Sequence, residues 1–343
     1  MTTAVADRAP VRPHLRSGWG LLALLVLLLV AVALSLMVGS NPLGPSTVIE
    51  ALRGHGSAEA GYVVHELRIP RTLTGLVVGV ALGAAGALIQ AFTRNPLADP
   101  GILGVNAGAA FAIAVGVAFF GLHSATAFVA LAVTGALVVT VAVYLIGSAG
   151  RGAADPIRLV LAGVALGALC SGMTTGMTLS DPDAFDQMRS WHAGSLLGRG
   201  FELLVPMLPV AGAALLVAFL LAPGLNALAL GEDVARAQGA NIRLIRGGAV
   251  AAVTVLAAIA TALAGPISFV GLMVPHVARW VFGVDQRAIL TGSVLLAPVI
   301  VLCSDVLGRV LIAPAEIPVG IVTALVGAPV LIALVRRRRA SAL

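Results

Sequence analysis

Polar residues along this chain fall in clumps between long apolar runs. Runs of about 20 apolar residues read as helices that cross a membrane. Ten such runs are predicted as spans, near 20–40, 71–91, 101–121, 124–147, 157–179, 202–222, 244–264, 267–282, 288–307 and 318–335. The expected fold is therefore all-α, a polytopic integral membrane protein with about ten transmembrane helices. An even count puts both termini on one side. The first run is too long for a cleavable signal, whose apolar core is about 7 to 15 residues. The residues ahead of it, 1–19, carry Arg8, Arg12 and Arg16 and read as a disordered basic leader. Residues 20–335 read as one transmembrane domain, with a polar loop at about 225–243 and a basic tail at 336–343.

Charge then orients the chain. With the N-terminus inside, the inner segments hold Arg8, Arg12, Arg16, Arg94, Arg151, Arg158, Arg236, Arg243, Arg246, Arg279, Arg287 and Arg336 to Arg339, which is 15 of the 21 arginines. The positive-inside rule therefore predicts cytoplasmic termini in a multi-pass protein of the cytoplasmic membrane. Six arginines remain outside: Arg53, Arg68, Arg71, Arg189, Arg199 and Arg309. Neighbouring acids such as Glu50, Glu59, Glu66 and the Asp181, Asp183, Asp186 cluster account for some of them, and least well for Arg68, Arg71 and Arg309.

Composition narrows the chemistry. Hydrophobic residues make up 59% and charged residues 10%, against roughly 25% charged in a soluble domain. No lysine occurs, so GxxxxGK[ST] is absent and any ATP must be bound by another subunit. Cys170 and Cys303 both lie in apolar runs and read as small buried hydrophobes. No HExxH or GxSxG is present, so no catalytic residue is expected. An ion-gradient transporter, the rival from another class, would carry acidic or histidine residues at mid-membrane, and the predicted spans hold none near their centres. His276 has no ligand partner at i+4, so no metal site is expected, and membrane lipid rather than nucleic acid is the expected surroundings.

Local patterns single out particular residues. In RIPRTL, Arg68 to Leu73, two arginines at i and i+3 precede an apolar helix, with Pro70 suited to its first turn. Such charges at a membrane face ask for an anionic partner. In QAFTRNPLADPGILG, Gln90 to Gly104, Asn95 and Pro96 mark a turn that carries the apolar Leu97. Its proline-glycine break leaves backbone unpaired, which hydrocarbon tolerates only where protein or water receives it. In the 225–243 loop, Glu232 and Asp233 favour a helix start and Gly239 a helix stop. Gly75, Gly79, Gly83 and Gly86 recur every three or four residues, which lets another helix approach closely. Asp305 and Arg309, one helical turn apart, read as an internal ion pair. Pro266 and Pro275 break the eighth span much as Pro96 and Pro100 break the second turn, which hints at an internal repeat.

Taken in order, RIPRTL, NPLADPGILG, RLVLAGVALG (Arg158 to Gly167), LGEDVARAQG (Leu230 to Gly239), GPISFVGLMVPHVAR (Gly265 to Arg279) and PAEIPVGIVTALVGAP (Pro314 to Pro329) make the chain resemble the permease subunit of an ABC importer of the iron-siderophore, haem and cobalamin type. The resemblance covers about 20–337. It implies a type II importer permease fold and a bulky metal chelate as cargo, with iron(III)-siderophore first, then cobalamin or haem. It implies a second permease subunit, the same or homologous, two ATP-binding subunits that hold ATP and magnesium, and an extracytoplasmic substrate-binding protein. No cofactor is expected on this chain. By the same resemblance Arg68, Arg71 and Arg309 would dock the binding protein. Leu230, Gly231, Glu232, Asp233, Ala235, Arg236 and Gly239 would form the coupling helix set against the ATPase, with Ala235 and Gly239 allowing close approach. Asn95, Pro96 and Leu97 would close the cytoplasmic gate. Similar permeases carry a small polar pair before the fifth helix; here Pro156 and Ile157 stand there.

Overall fold

A computed structural model describes residues 15–40, 43–149 and 156–338. The leader's first fourteen residues, Arg151 and the last five residues lie outside the described residues. Among the described residues ten apolar helices form the bundle: α1 (Leu15–Met37), α2 (Ile69–Thr93), α3 (Val105–Phe120), α4 (Ala125–Gly147), α5 (Pro156–Ser180), α6 (Met207–Ala229), α7 (Ile242–Ala264), α8 (Val270–Phe282), α9 (Gln286–Leu311) and α10 (Val319–Arg338). Seven of the helices are long and apolar enough to cross a membrane, and Val105–Phe120, Val270–Phe282 and Val319–Ala333 are shorter apolar helices. No strand occurs among the described residues.

Several helix starts follow from capping. Ser124 accepts the Ala127 N–H ahead of α4, Asn241 the Leu244 N–H ahead of α7, and Asp285 the Arg287 and Ala288 N–H groups ahead of α9. The boundaries differ most from expectation at α1 and α6. α1 begins at Leu15, so residues 15–19 are helical rather than part of a disordered leader. α6 runs over Met207–Ala229 instead of 202–222, because Phe201–Leu204 forms a separate short helix that Pro206 separates from it. It continues through Pro223 because Leu225 and Leu228, within the next turn and a half, bury against the core.

α2 and α7 lie against each other and are the most buried of the long helices. Around them one arrangement occurs twice: α2 packs on α9 as α7 packs on α4, α2 on α8 as α7 on α3, and α3 on α4 and α5 as α8 on α9 and α10. Since α2 and α7 start at opposite ends of the bundle, α2–α5 and α7–α10 are inverted repeats. The short helix of each repeat follows a residue in the left-handed region, Gly104 (φ 80°) before α3 and Phe269 (φ 69°) before α8. At about 1.5 Å per residue, α3 and α8 span roughly 24 and 20 Å, less than the about 30 Å hydrocarbon core. The irregular stretches before them complete the crossing inside protein, where Pro100, Leu103 and Ile267 are buried.

The glycine stripe on α2 has the predicted use. A Cβ on Gly79 would overlap the Pro298 backbone of α9, one on Gly83 the Ser293 carbonyl, and one on Gly86 the Gly271 carbonyl of α8. α2 is thus seated on both helices by backbone contact.

Candidate functional sites at the two ends of the bundle

At one end the start of α2 and the last turns of α9 meet the C-terminus of α1. The last carbonyls of α1 have no helical partner of their own, and two arginines supply one. Arg68 Nη1 donates to the Leu36 and Met37 carbonyls at 2.8 Å each, and Arg309 Nη1 to those of Ser35 (2.8 Å) and Val38 (3.0 Å). Gly39 leaves room for this, since Arg68 Nη2 lies 2.7 Å from where a Cβ would stand. Asp305 joins the cluster from α9. Arg71 grips it with two nitrogens, Nη2 to Oδ1 at 2.7 Å and Nε to Oδ2 at 3.0 Å, and Arg309 pairs with its other side. Arg71 Nη1 also reaches Glu316 Oε2 at 2.7 Å, and Ser40 Oγ donates to Glu316 Oε1 at 2.7 Å. Burial raises the Glu316 carboxyl, but the bonds from Ser40 and Arg71 and the Arg71 and Arg309 charges together hold it below the usual carboxylate range.

Arg68, Arg71 and Arg309 are buried, at 4%, 8% and 2% exposed. The reason is compensation: α1 carbonyls, Asp305 and Glu316 supply acceptors that make burial of the guanidinium groups tolerable. The expected Asp305–Arg309 pair is present, but Asp305 also serves Arg71. The three arginines line the wall of a cavity of about 340 Å³ together with Ser40, Glu316 and Arg199.

At the opposite end the polar groups are sparser. Arg94, in the left-handed region at φ 51°, ends α2, and its Nη2 donates to the Leu228 carbonyl in the last turn of α6. Asn95 Oδ1 accepts the Leu97 N–H at 2.9 Å, a side-chain turn that leaves Leu97 half exposed, as expected for this segment. Asp99 Oδ1 accepts the Gly101 N–H at 2.8 Å and so starts the next turn. Asn226 of α6 donates to Asp285 at 2.9 Å and accepts the Gln286 N–H at 2.9 Å, so the same two turns of α6 are tied to the start of α9.

Four residues past Leu228, a short helix begins and runs over Glu232–Ala237, bounded by Gly231 (φ 118°) and Gly239 (φ 77°). The predicted start and stop are both present. Two details differ. Residues 225–229 belong to α6, not to the loop, and Ala235 is fully buried against the bundle. Ala235 therefore seats the short helix on its own chain, while Leu230, Val234 and Gly239 face outward with Asp233 and Arg236. Glu232 pairs with Arg246 of α7 and, at 3.5 Å, with Arg236.

Between the ends, α5 leaves Leu161, Val164, Leu169 and Met173 uncovered. Beside it a cavity of about 410 Å³ is lined by Asn106, Ser171, Thr174, Thr175 and His192 among small residues. Trp191 and His192 end a short helix, Pro182–His192, that the sequence alone does not separate from a loop. His276 is buried with its ring edge-on to Trp280 at 5.1 Å, and no cluster of three metal-binding side chains occurs among the described residues.

Ten apolar helices among the described residues, eight of them in two inverted repeats, with broken crossings and a separate polar apparatus at each end, define a membrane permease. The match to a family model bears this out and narrows it: over residues 27–337 the chain belongs to the FecCD transport family. It is 49% identical to the ferric enterobactin transport system permease protein FepD of Escherichia coli K12, over 92% of this chain and 94% of that one. It is 37% identical to the vitamin B12 import system permease protein BtuC of Yersinia enterocolitica, over 95% of each. Among solved structures, a metal-chelate type ABC transporter in an inward-facing conformation matches with a TM-score of 0.81 at 28% identity, over 92% of this chain and 98% of that one.

Sequence reasoning missed four participants. Ser40, Glu316 and Arg199 join the arginine end from loops distant in the chain; the motif PAEIP around Glu316 and the place of Arg199 among the six outer arginines are the signals the sequence carries. Arg94 reads as one more inner-loop charge, although it stands directly before Asn95 and Pro96.

Proposed function

We propose that this chain is the transmembrane permease subunit of an ABC importer that passes an iron(III)-siderophore across the cytoplasmic membrane. The observation that carries the reading is the 49% identity to the ferric enterobactin permease over more than nine tenths of both chains. The 37% identity to a vitamin B12 permease keeps cobalamin as the second reading. The chain works with a second permease subunit, two ATP-binding subunits that hold ATP and magnesium, and an extracytoplasmic substrate-binding protein. It hydrolyses no ATP itself, since it contains no phosphate-cradling lysine motif.

The end that carries Arg94, Arg236, Arg243, Arg246, Arg279 and Arg287 faces the cytoplasm, as do both termini. The opposite end, with Arg68, Arg71 and Arg309, receives the binding protein. Buried and cross-braced, these three act as a rigid cationic platform. At the cytoplasmic end, Leu230, Gly231, Glu232, Asp233, Arg236 and Gly239 meet the ATPase, and Ala235 fixes that helix to the bundle. Asn95, Pro96 and Leu97 close the path. Arg94 links the two, because its bond to Leu228 joins the gate turn to the last turn before the coupling helix. ATP-driven movement of the coupling helix is thereby carried to the gate.

Reconstitution with the cognate ATPase and binding protein in liposomes tests the reading. Uptake of ferric enterobactin should require internal ATP and magnesium and all three components. Uptake that survives without ATP, or collapses on adding a protonophore while ATP stays high, would refute it. Preferential uptake of cobalamin would move the cargo to the second reading.

A further inference from the structure

The cavity at the arginine end contains one cation that the internal network leaves out. Arg71 and Arg309 are bonded to Asp305, and Arg71 also to Glu316, while Arg68 and Arg309 cap α1. Arg199 lines the same cavity, yet it makes no hydrogen bond or ion pair with any described residue, and its Nε is buried without a partner. Buried donors of this kind are almost always satisfied, so an unpartnered guanidinium nitrogen points to an acceptor that arrives from outside the chain.

The loop that carries Arg199 is not loose. Ser195 N–H donates to the Ala264 carbonyl at the end of α7 at 2.7 Å, and Gly320 N–H to the Gly194 carbonyl at 3.0 Å, so the loop is wedged between α7 and α10. Gly194 and Gly198 take φ of 68° and 70°, and a Cβ on Gly194 would stand 2.7 Å from the Pro266 carbonyl. The backbone leading to Arg199 is therefore anchored ahead of any partner. Four arginines surround the space, against the carboxylates of Glu66 and Glu316 on its wall and Asp305 behind it. Asp305 and Glu316 are already engaged, and Leu67 and Leu197 stand exposed at the mouth.

We propose that Arg199 is the receptor for a carboxylate side chain of the external substrate-binding protein, inserted between Leu67 and Leu197, with Arg68, Arg71 and Arg309 forming the fixed wall behind it. This rests on the docking role of the arginine end and adds to it the residue that makes the contact. Leu197 stands in the loop between Pro182–His192 and Phe201–Leu204, and Leu67 in the π-helical stretch Val63–Arg68 that leads into α2, at the end of the bundle where a soluble protein can reach. A guanidinium fork matches a carboxylate with two bonds.

The test is equilibrium binding of the cognate binding protein to the full permease–ATPase complex in nanodiscs, at low and high salt. Arg199→Glu should weaken binding at least about tenfold at low salt, Arg199→Ala somewhat less, and Arg199→Lys least, with the differences shrinking as salt rises. An Asp or Glu to Arg change on the binding protein that restores affinity to Arg199→Glu would identify the partner carboxylate. If Arg199→Glu binds within twofold of the parent while Arg68→Glu is weakened, the assignment of Arg199 falls and the docking reading stands. If neither variant is weakened, both fall. If docking is unchanged but uptake of an anionic chelate drops while uptake of a neutral one does not, the cavity serves the cargo and the proposal is overturned. Assembly with the ATPase, measured by co-purification, checks that each variant is folded.

Discussion

The two ends of the bundle hold the same kind of charge in opposite ways. At the platform end, three buried arginines are held by two acids, Ser35 and the terminal carbonyls of α1, with Ser40 bonded to Glu316, so that each guanidinium closes several bonds at once. At the loop end the arginines are more exposed, and the helices are tied by a few contacts, such as Arg94 to Leu228 and Asn226 to Asp285. A cross-braced cluster resists rearrangement because moving one member leaves others buried and unpaired. A few exposed bonds can break and re-form at small cost. The contrast suits a permease in which one end receives a rigid partner and the other end moves.

The sharpest way to break the comparison is to remove Asp305, the acid that Arg71 and Arg309 share. Asp305→Ala would leave two guanidinium groups without their common counter-charge, a loss of roughly 3 to 5 kcal/mol. Thermal unfolding of the purified chain in detergent should show a larger drop for this variant than for any single change at the loop end. A single mutant as stable as the parent would mean that the platform is held by something other than this network.

At the other end the expected effect moves from stability to coupling. Arg94→Ala removes one charge-assisted hydrogen bond, worth about 1.5 to 3 kcal/mol where buried and less here, since Arg94 is exposed overall. The chain should fold and assemble, but the amount of substrate carried per ATP hydrolysed in liposomes should fall severalfold, with Arg94→Lys intermediate. An unchanged ratio would refute the proposed link between the Asn95–Leu97 turn and the Glu232–Ala237 helix.

What the sequence makes legible follows from the range of the interactions. The helices are readable because the apolar runs are local, and the stripe of Gly75, Gly79, Gly83 and Gly86 announces a close helix contact without naming α9 and α8 as its partners. The start at Glu232 and stop at Gly239 of the short loop helix are likewise written in adjacent residues. The Asp305–Arg309 pair is readable because it is one turn long; the Arg71–Asp305 pair joins residues 234 apart and is not. The same limit hides the burial of Arg68, Arg71 and Arg309, which depends on carbonyls contributed by α1. It also hides the direction of Ala235, since a six-residue helix has too few turns to reveal which face is inward.

Acid should sharpen the difference between the ends. Glu316 lies outside the helices, and despite a burial penalty its carboxyl is held below its ordinary value by Ser40, Arg71 and the neighbouring positive charges. A depressed carboxylate contributes fully above its unfolded value of about 4.3, and the contribution is lost as pH falls through the lower folded value. The unfolding midpoint of the parent should thus exceed that of Glu316→Gln at pH 7, and the gap should narrow once pH drops below about 4. A gap that stays constant down to about pH 3 would mean that the charge of Glu316 contributes nothing to the platform.

The smallest effect is expected at Arg236. Its pair with Glu232 is 3.5 Å long, the arginine side chain is 63% exposed, and Glu232 retains Arg246 when Arg236 is removed. Exposed pairs of this type are worth about 0.2 to 1 kcal/mol, and less in salt. Arg236→Ala should therefore leave the unfolding midpoint within error of the parent, in contrast to Asp305→Ala. If Arg236 instead contacts the ATPase, the same variant should weaken co-purification of that subunit while stability stays unchanged. A drop in stability comparable to that of Asp305→Ala would erase the distinction between a braced end and a loosely tied one, because an exposed charge at the loop end would then matter as much as a buried one at the platform.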